Sequence, residues 1–260
     1  MLSPQQRQLA ADALDRADLQ RQVIPQVSKT YPDIELQDAY AIQDLWLQRR
    51  LDRGARLIGR KIGLTSRAMQ MASNFNEPDY GFLTDDMVVA DGAQIEAQRY
   101  LSPRLEVELA FVMGADLQGA GCTIADVMRA TEFVTPALEL IAYRTQVPRA
   151  IADTIADNAA AGAMVLGGRM LRPFDHDIRW VGATLARNGV IEESGLSAAV
   201  MGHPAAGIAW LVRKLAQHGV GLERGQYVLA GSFTRPVSVA PGDVIHADYG
   251  PLGAIGVRFV

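Results

Sequence analysis

Apolar residues recur at helical spacing from Pro4 to about Arg53. Ala10, Ala13, Leu14 and Ala17 mark one stretch, and the run from Leu36 to Leu47 repeats apolar positions every three or four residues, with Asp33 or Glu35 leading into it. After Gly54 the pattern changes to β-branched runs bounded by glycine, proline and aspartate turns, and it stays so to Val260. Arg56 to Gly63 predicts a strand, followed by a loop at Leu64-Thr65-Ser66 and a short helix over Arg67 to Ser73. Two further helices interrupt the strands. Thr123 caps one over Ile124 to Arg129, and His203-Pro204 opens another that runs through Leu215 and stops at Gly219. Late strands are predicted at Tyr227 to Ala230, Val237 to Val239, Asp243 to Ala247 and Ile255 to Val260. The expected fold class is therefore α+β, a helical N-terminal part over 1–55 packed on a mostly-β body over 56–260.

One run in that body breaks the apolar pattern at a cost. Arg104-Leu105-Glu106-Val107-Glu108-Leu109-Ala110-Phe111 places two carboxylates one residue apart, so a strand of period two aims Glu106 and Glu108 at one face and Leu105, Val107, Leu109 and Phe111 at the other. Side by side and buried, two ionised carboxylates repel, and at least one takes up a proton unless a cation neutralises them. Glu139 sits in a second apolar run, Thr135-Pro136-Ala137-Leu138-Glu139-Leu140-Ile141. Three such oxygen ligands, with water and substrate filling the other positions, suit Mg²⁺ or Mn²⁺. The competing reading puts Glu106 and Glu108 on the solvated face of an edge strand and Glu139 at the end of a surface element.

Composition excludes several classes. The 260 residues are 49% hydrophobic and 21% charged, enough for a sizeable core, and the net charge of −4 with scattered basic residues offers no cationic stripe for nucleic acid. No apolar run approaches the roughly 18 residues of a membrane helix, and the polar start Met1-Leu2-Ser3-Pro4 does not read as a signal peptide. Cys122 is the single cysteine, which fits a reducing compartment, and the expected location is the cytoplasm. A phosphate-binding glycine loop, a zinc-protease helix and a serine nucleophile elbow are all missing from the sequence, and none of the four histidines shows metal-ligand spacing with another.

Acid–base work then falls to carboxylates, a lysine or bound water. The lysines are Lys29, Lys61 and Lys214, and Lys61 lies in the apolar-flanked run Gly59-Arg60-Lys61-Ile62-Gly63. An ammonium there can stabilise an enolate or hand over a proton, or it can simply sit on the wet face of a strand. Asp79, in Asn76-Glu77-Pro78-Asp79-Tyr80-Gly81, is explained equally by turn chemistry and by catalysis. Asp157-Asn158 and the run Gly231-Ser232-Phe233-Thr234-Arg235-Pro236 are polar islands that either line a pocket or turn the chain.

Taken in order, Gly59 to Ser66, Glu77 to Gly81, Pro103 to Phe111, Pro136 to Glu139, Asp157 to Ala160 and Gly231 to Pro236 resemble the successive motifs of the hydratase and decarboxylase family of aromatic meta-cleavage pathways, within the fumarylacetoacetate hydrolase fold superfamily. The resemblance covers nearly the whole chain and implies a fumarylacetoacetate-hydrolase-like body. It further implies that Glu106, Glu108 and Glu139 hold Mg²⁺ or Mn²⁺, that Lys61 and Asp79 are catalytic, and that Asp157 and Asn158 orient substrate or water. The implied substrate is a small unsaturated 2-oxo acid, and the implied assembly is a homo-oligomer. Within the family, Ser232-Phe233-Thr234-Arg235-Pro236 points to hydration of a seven-carbon diacid. Ser232 and Thr234 are candidate substrate contacts, and Arg67, Arg144 and Arg235 are candidates for the remote carboxylate. Hydration of a five-carbon monoacid, decarboxylation of 4-oxalocrotonate and mere binding of an organic acid are the alternatives. One departure from the family pattern follows Glu139, where Leu140-Ile141-Ala142-Tyr143-Arg144 has no aspartate at position 142 and the stretch before Ala150 is short.

Overall fold

The computed structural model describes residues 1–72 and 74–260, so the predicted helix end at Ser73 lies outside the described residues. Helices α1 (Pro4–Gln20), α2 (Val27–Thr30) and α3 (Leu36–Asp52) form the N-terminal part. Ser3 caps α1 through a reciprocal bond with Gln6, and Glu35 with Asp38 opens α3, which settles the choice between Asp33 and Glu35. The two long helices are tied by Asp15, which accepts from Trp46 Nε1 at 3.0 Å and pairs with Arg53 at 2.7 Å.

The body contains β1 (Leu57–Gly63), α4 (Arg67–Ala72), β2 (Asp79–Thr84), β3 (Val88–Ala90), β4 (Gln94–Ile95), β5 (Arg104–Met113), α5 (Ile124–Ala130) and β6 (Thr131–Ile141). It continues through α6 (Ile151–Ala156), β7 (Ala161–Leu166), β8 (Gly182–Arg187), β9 (Val190–Leu196), α7 (Pro204–Ala216), β10 (Tyr227–Leu229), β11 (Val237–Ser238), β12 (Val244–Asp248) and β13 (Ala254–Phe259). Among the described residues, one mixed sheet runs β2-β1-β10-β5-β6-β7-β3 with β11 also paired to β5, and a second runs β4-β13-β12-β8-β9. Strand β5 is covered on both faces, which is why its sequence is almost continuously apolar.

The helical part does not own a separate core. Ala10, Leu14, Ile42 and Trp46 pack with Phe82 of β2 and with Ala152, Ile155 and Ala156 of α6. Buried Gln43 fixes this junction by donating from Nε2 to Tyr80 O at 2.9 Å and Ile155 O at 2.8 Å, which joins α3 to β2 and α6. Among the described residues no helix is long and apolar enough to cross a membrane.

Candidate active site

The glutamates meet because of strand register. β5 and β6 pair antiparallel with Glu106 directly opposite Glu139, and Glu108 lies two residues along on the same face. Carboxylate oxygens of the three come within 4.8 Å of one another, and all three residues are buried. Tyr249 pins the adjoining pair by donating its hydroxyl toward Glu108 O at 3.1 Å and Ala137 O at 2.5 Å.

Between Leu229 and β11 the chain bulges but stays tethered to β5, with Ala230 N donating to Leu109 O at 3.0 Å and Phe233 N to Val107 O at 3.2 Å. The bulge begins at Gly231, whose φ of 115° is a left-handed value and whose Cβ would strike Thr65, 2.3 Å from Oγ1. It turns the Gly231 N–H onto Glu108 Oε2 at 2.9 Å. Lys61 on β1 completes the cluster, with Nζ 3.1 Å from Glu139 Oε1 and donating to Ala159 O at 3.0 Å. Asp79 is next to it, and Gly63 is required there, since a Cβ would lie 2.2 Å from Asp79 Oδ1 and 3.3 Å from Lys61 Nζ.

Burial shifts every acid of this group the same way. It pushes Glu106 up to about 8, helped by the charges of Glu139 and Asp79 and opposed by Lys61. Glu108 is raised well above the ordinary range by burial and by Glu139 and Glu106, and Glu139 and Asp79 are raised by burial against the pull of Lys61. Burial alone would lower Lys61, but Glu139, Asp79, Glu106 and Glu108 outweigh it and hold the ammonium charged. Glu108 Oε1, Glu139 Oε2 and Asp79 Oδ1 are buried without a hydrogen-bond donor. Orphaned, all-oxygen, anionic and within a few ångströms of one another, the glutamate donors fit a hard divalent cation.

The cluster opens into a cavity of about 310 Å³ lined by Lys61, Asp79, Glu106, Tyr143, Arg149 and Thr154 among others. Several residues expected there are elsewhere. Arg67 is exposed in a different groove with Gln70 and Asn76. Arg235 is 82% exposed and pairs with Glu193 at 2.8 Å. Arg144 is buried, but its Nε, NH2 and backbone N–H go to Asp157 and Ala161, its NH1 reaches Asp18 at 3.2 Å, and its guanidinium stands over Trp46. Four of its five guanidinium N–H directions serve the fold, and none of these three arginines lines the cavity.

Asp157 and Asn158 are likewise structural in placement. Asn158 Oδ1 accepts from Phe82 N at 2.7 Å and its Nδ2 donates to Phe82 O at 3.0 Å, while Asp157 is consumed by Arg144. Together they hold Asn158, Ala159 and Ala160 at φ of 53°, 48° and 63°, three consecutive left-handed residues of which the two alanines cost about 1–2 kcal/mol each. The product of that strain is the Ala159 carbonyl aimed at Lys61. Ser232 and Thr234 are also occupied. Ser232 Oγ lies 3.3 Å from Val107 O and 2.8 Å from Thr234 O, and Thr234 Oγ1 accepts from Val107 N at 3.3 Å, so they stitch the bulge to β5.

Asn158→Ala is expected to destabilise the protein by about 2–4 kcal/mol, because it strands both buried groups of Phe82 and removes the residue type best suited to the left-handed start. Thermal unfolding checks this. An unchanged Tm with a collapsed kcat/KM would instead return Asn158 to substrate orientation.

Residues 57–260 match the model of the fumarylacetoacetate (FAA) hydrolase C-terminal family. The chain belongs to the fumarylacetoacetate hydrolase family. It is 51% identical over 97% of both chains to 2-oxo-hept-4-ene-1,7-dioate hydratase of Escherichia coli, and 38% identical over 99% of its own length and 96% of the other's to 2-keto-4-pentenoate hydratase of Paraburkholderia xenovorans. Among solved structures it is similar to the 4-oxalocrotonate decarboxylase of Pseudomonas putida G7 complexed with magnesium and adipate. That likeness has a TM-score of 0.98 and 34% identity, covering 100% of this chain and 99% of that one.

Proposed function

We propose that the protein is a divalent-metal-dependent hydratase that converts 2-oxo-hept-4-ene-1,7-dioate, by way of its 2-hydroxy-2,4-dienoate tautomer, into 4-hydroxy-2-oxoheptanedioate. The observation that carries this reading is the buried trio Glu106, Glu108 and Glu139, with Lys61 in contact with Glu139 and with Glu106, Lys61 and Asp79 lining one small cavity, in a chain half identical to a hydratase of that substrate. A Mg²⁺ or Mn²⁺ ion held by the three glutamates supplies Lewis-acid charge for the carboxylate and 2-oxo oxygens of such an acid.

The remaining work belongs to the side chains. Lys61 has three N–H donors, of which Glu139 and Ala159 engage two, and the third serves negative charge developing on the substrate's 2-oxygen. Asp79, whose carboxyl burial raises above its ordinary range and whose Oδ1 is unpaired, moves the protons. The 2-hydroxyl proton is lost and C5 gains one, giving the conjugated 2-oxo-3-ene. Water oxygen then bonds to C4 while C3 is protonated, so the sum is one water added and nothing released.

Incubation of the purified protein with 2-hydroxyhepta-2,4-diene-1,7-dioate and Mg²⁺ is expected to bleach the dienoate absorbance and yield a product heavier by one water. Stoichiometric CO₂ instead would place it with the decarboxylases. Assembly as a homo-oligomer in the cytoplasm belongs to the same proposal. Exposed Phe174, Trp180, Val190 and Ile191 support the assembly by offering apolar surface for a second copy.

A further inference from the structure

We infer that Arg149 selects the substrate's second carboxylate, the one remote from the glutamates. The inference rests on the hydratase reading for its substrate and on the cavity for its residue. Lys61 and Arg149 are the basic side chains among the described residues lining that cavity, and Lys61 is already engaged by Glu139 and Ala159.

Arg149 is placed differently. Its side chain is only 11% exposed, and its guanidinium carbon stands 3.8 Å from the centroid of the Tyr143 ring. One N–H reaches a protein acceptor, NH1 to Asp157 Oδ2 at a long 3.4 Å. Asp157 has little need of it, since Arg144 already donates to that carboxylate from its Nε and backbone N–H. The fork is thus immobilised by stacking while most of its donors remain uncommitted, the state in which a guanidinium takes a carboxylate in bidentate fashion.

Its position along the cavity also fits. Arg149 lines the same cavity as Glu106, Lys61 and Asp79, and its acidic contact is Asp157 rather than any of the three glutamates. An acid whose 2-oxo end lies at the glutamates therefore meets Arg149 in the same cavity with its other end. Tyr143 and Arg149 both belong to the stretch after Glu139 that departs from the family's pattern, which makes the stretch a determinant of substrate length.

The test compares wild type, Arg149→Met and Arg149→Lys, all with Mg²⁺, on 2-hydroxyhepta-2,4-diene-1,7-dioate and on 2-hydroxypenta-2,4-dienoate. In Arg149→Met, kcat/KM for the diacid should fall roughly a hundredfold, mainly through KM, and at least about tenfold more than for the monoacid, with Arg149→Lys recovering part of the loss. Calorimetric binding of the non-reacting pair 2-oxoheptanedioate and 2-oxopentanoate supplies an arm that needs no turnover. Preference for the diacid in wild type, erased in Arg149→Met, upholds the role of Arg149 even if neither dienoate is consumed, and in that event only the hydratase reading fails. Equal losses on both acids, or a diacid preference untouched by the substitution, overturns the inference.

Discussion

Exhaustive removal of divalent metal abolishes hydration, by a factor of about a thousand or more, and Mg²⁺ or Mn²⁺ restores it to wild type but not to a Glu106→Ala/Glu108→Ala variant. The expectation follows from the cost of the metal-free site. Three buried carboxylates crowd within 4.8 Å with a single ammonium beside them, and burial raises Glu106 to about 8. A carboxyl raised in the folded state binds more protons folded than unfolded between its ordinary value and about 8, so metal-free stability falls as pH rises through that window. A cation displaces those protons and removes the penalty. The rise in Tm on adding Mg²⁺ should therefore grow from pH 6 to pH 8, and the double variant, relieved of two like charges, should unfold no lower than metal-free wild type. Full turnover by stripped protein or by the double variant would sink the idea, as would a Tm response to Mg²⁺ that is flat with pH.

The part of this site legible in sequence was the part with local periodicity. Glu106 and Glu108 share a face because they are two apart on a strand, and an acid pair inside Leu105, Val107 and Leu109 is costly enough to demand a partner. That Glu139 stands opposite Glu106 is a matter of register between strands joined through α5, which no local pattern encodes. The helix after Thr123 was legible through its capping side chain and the one after His203 through Pro204 at its first turn, whereas six-residue α6 was too short to show a period.

The arginines show the limit most plainly. Sequence offers the guanidinium but not its neighbours, and Arg144 looked available only because Asp157, thirteen residues away, had not yet been folded onto it. Arg149 was passed over, although it lies in the very stretch that departs from the family pattern. The left-handed run at Ala159 and Ala160 was illegible for a different reason: alanine carries no preference for that conformation, and it is imposed from outside by Asn158 and Asp157.

Replacing Lys61 with methionine should lower kcat by about a hundredfold or more, the scale of a positioned acid–base or oxyanion group, while the Tm response to Mg²⁺ survives. Methionine keeps the buried volume and deletes the charge, so what is lost is the N–H that faces the substrate and the cationic field on Glu139 and Asp79. In metal-free protein the substitution leaves Glu139 without its ion-pair partner, a loss that costs about 3–5 kcal/mol when the remaining charge stays buried. The metal-free variant should be less stable than metal-free wild type, and Mg²⁺ should narrow the gap, because a cation on the glutamates stands in for the ammonium as a counter-charge. Lys61→Arg should not restore kcat, since a planar fork cannot occupy the point position 3.1 Å from Glu139 and 3.0 Å from the Ala159 carbonyl. Binding of 2-oxoheptanedioate within about tenfold of wild type, beside the collapsed kcat, would place the effect in the transition state rather than in the ground state. Near-normal kcat in Lys61→Met would reduce Lys61 to a buried counter-ion and leave the substrate's 2-oxygen without a protein donor in this mechanism.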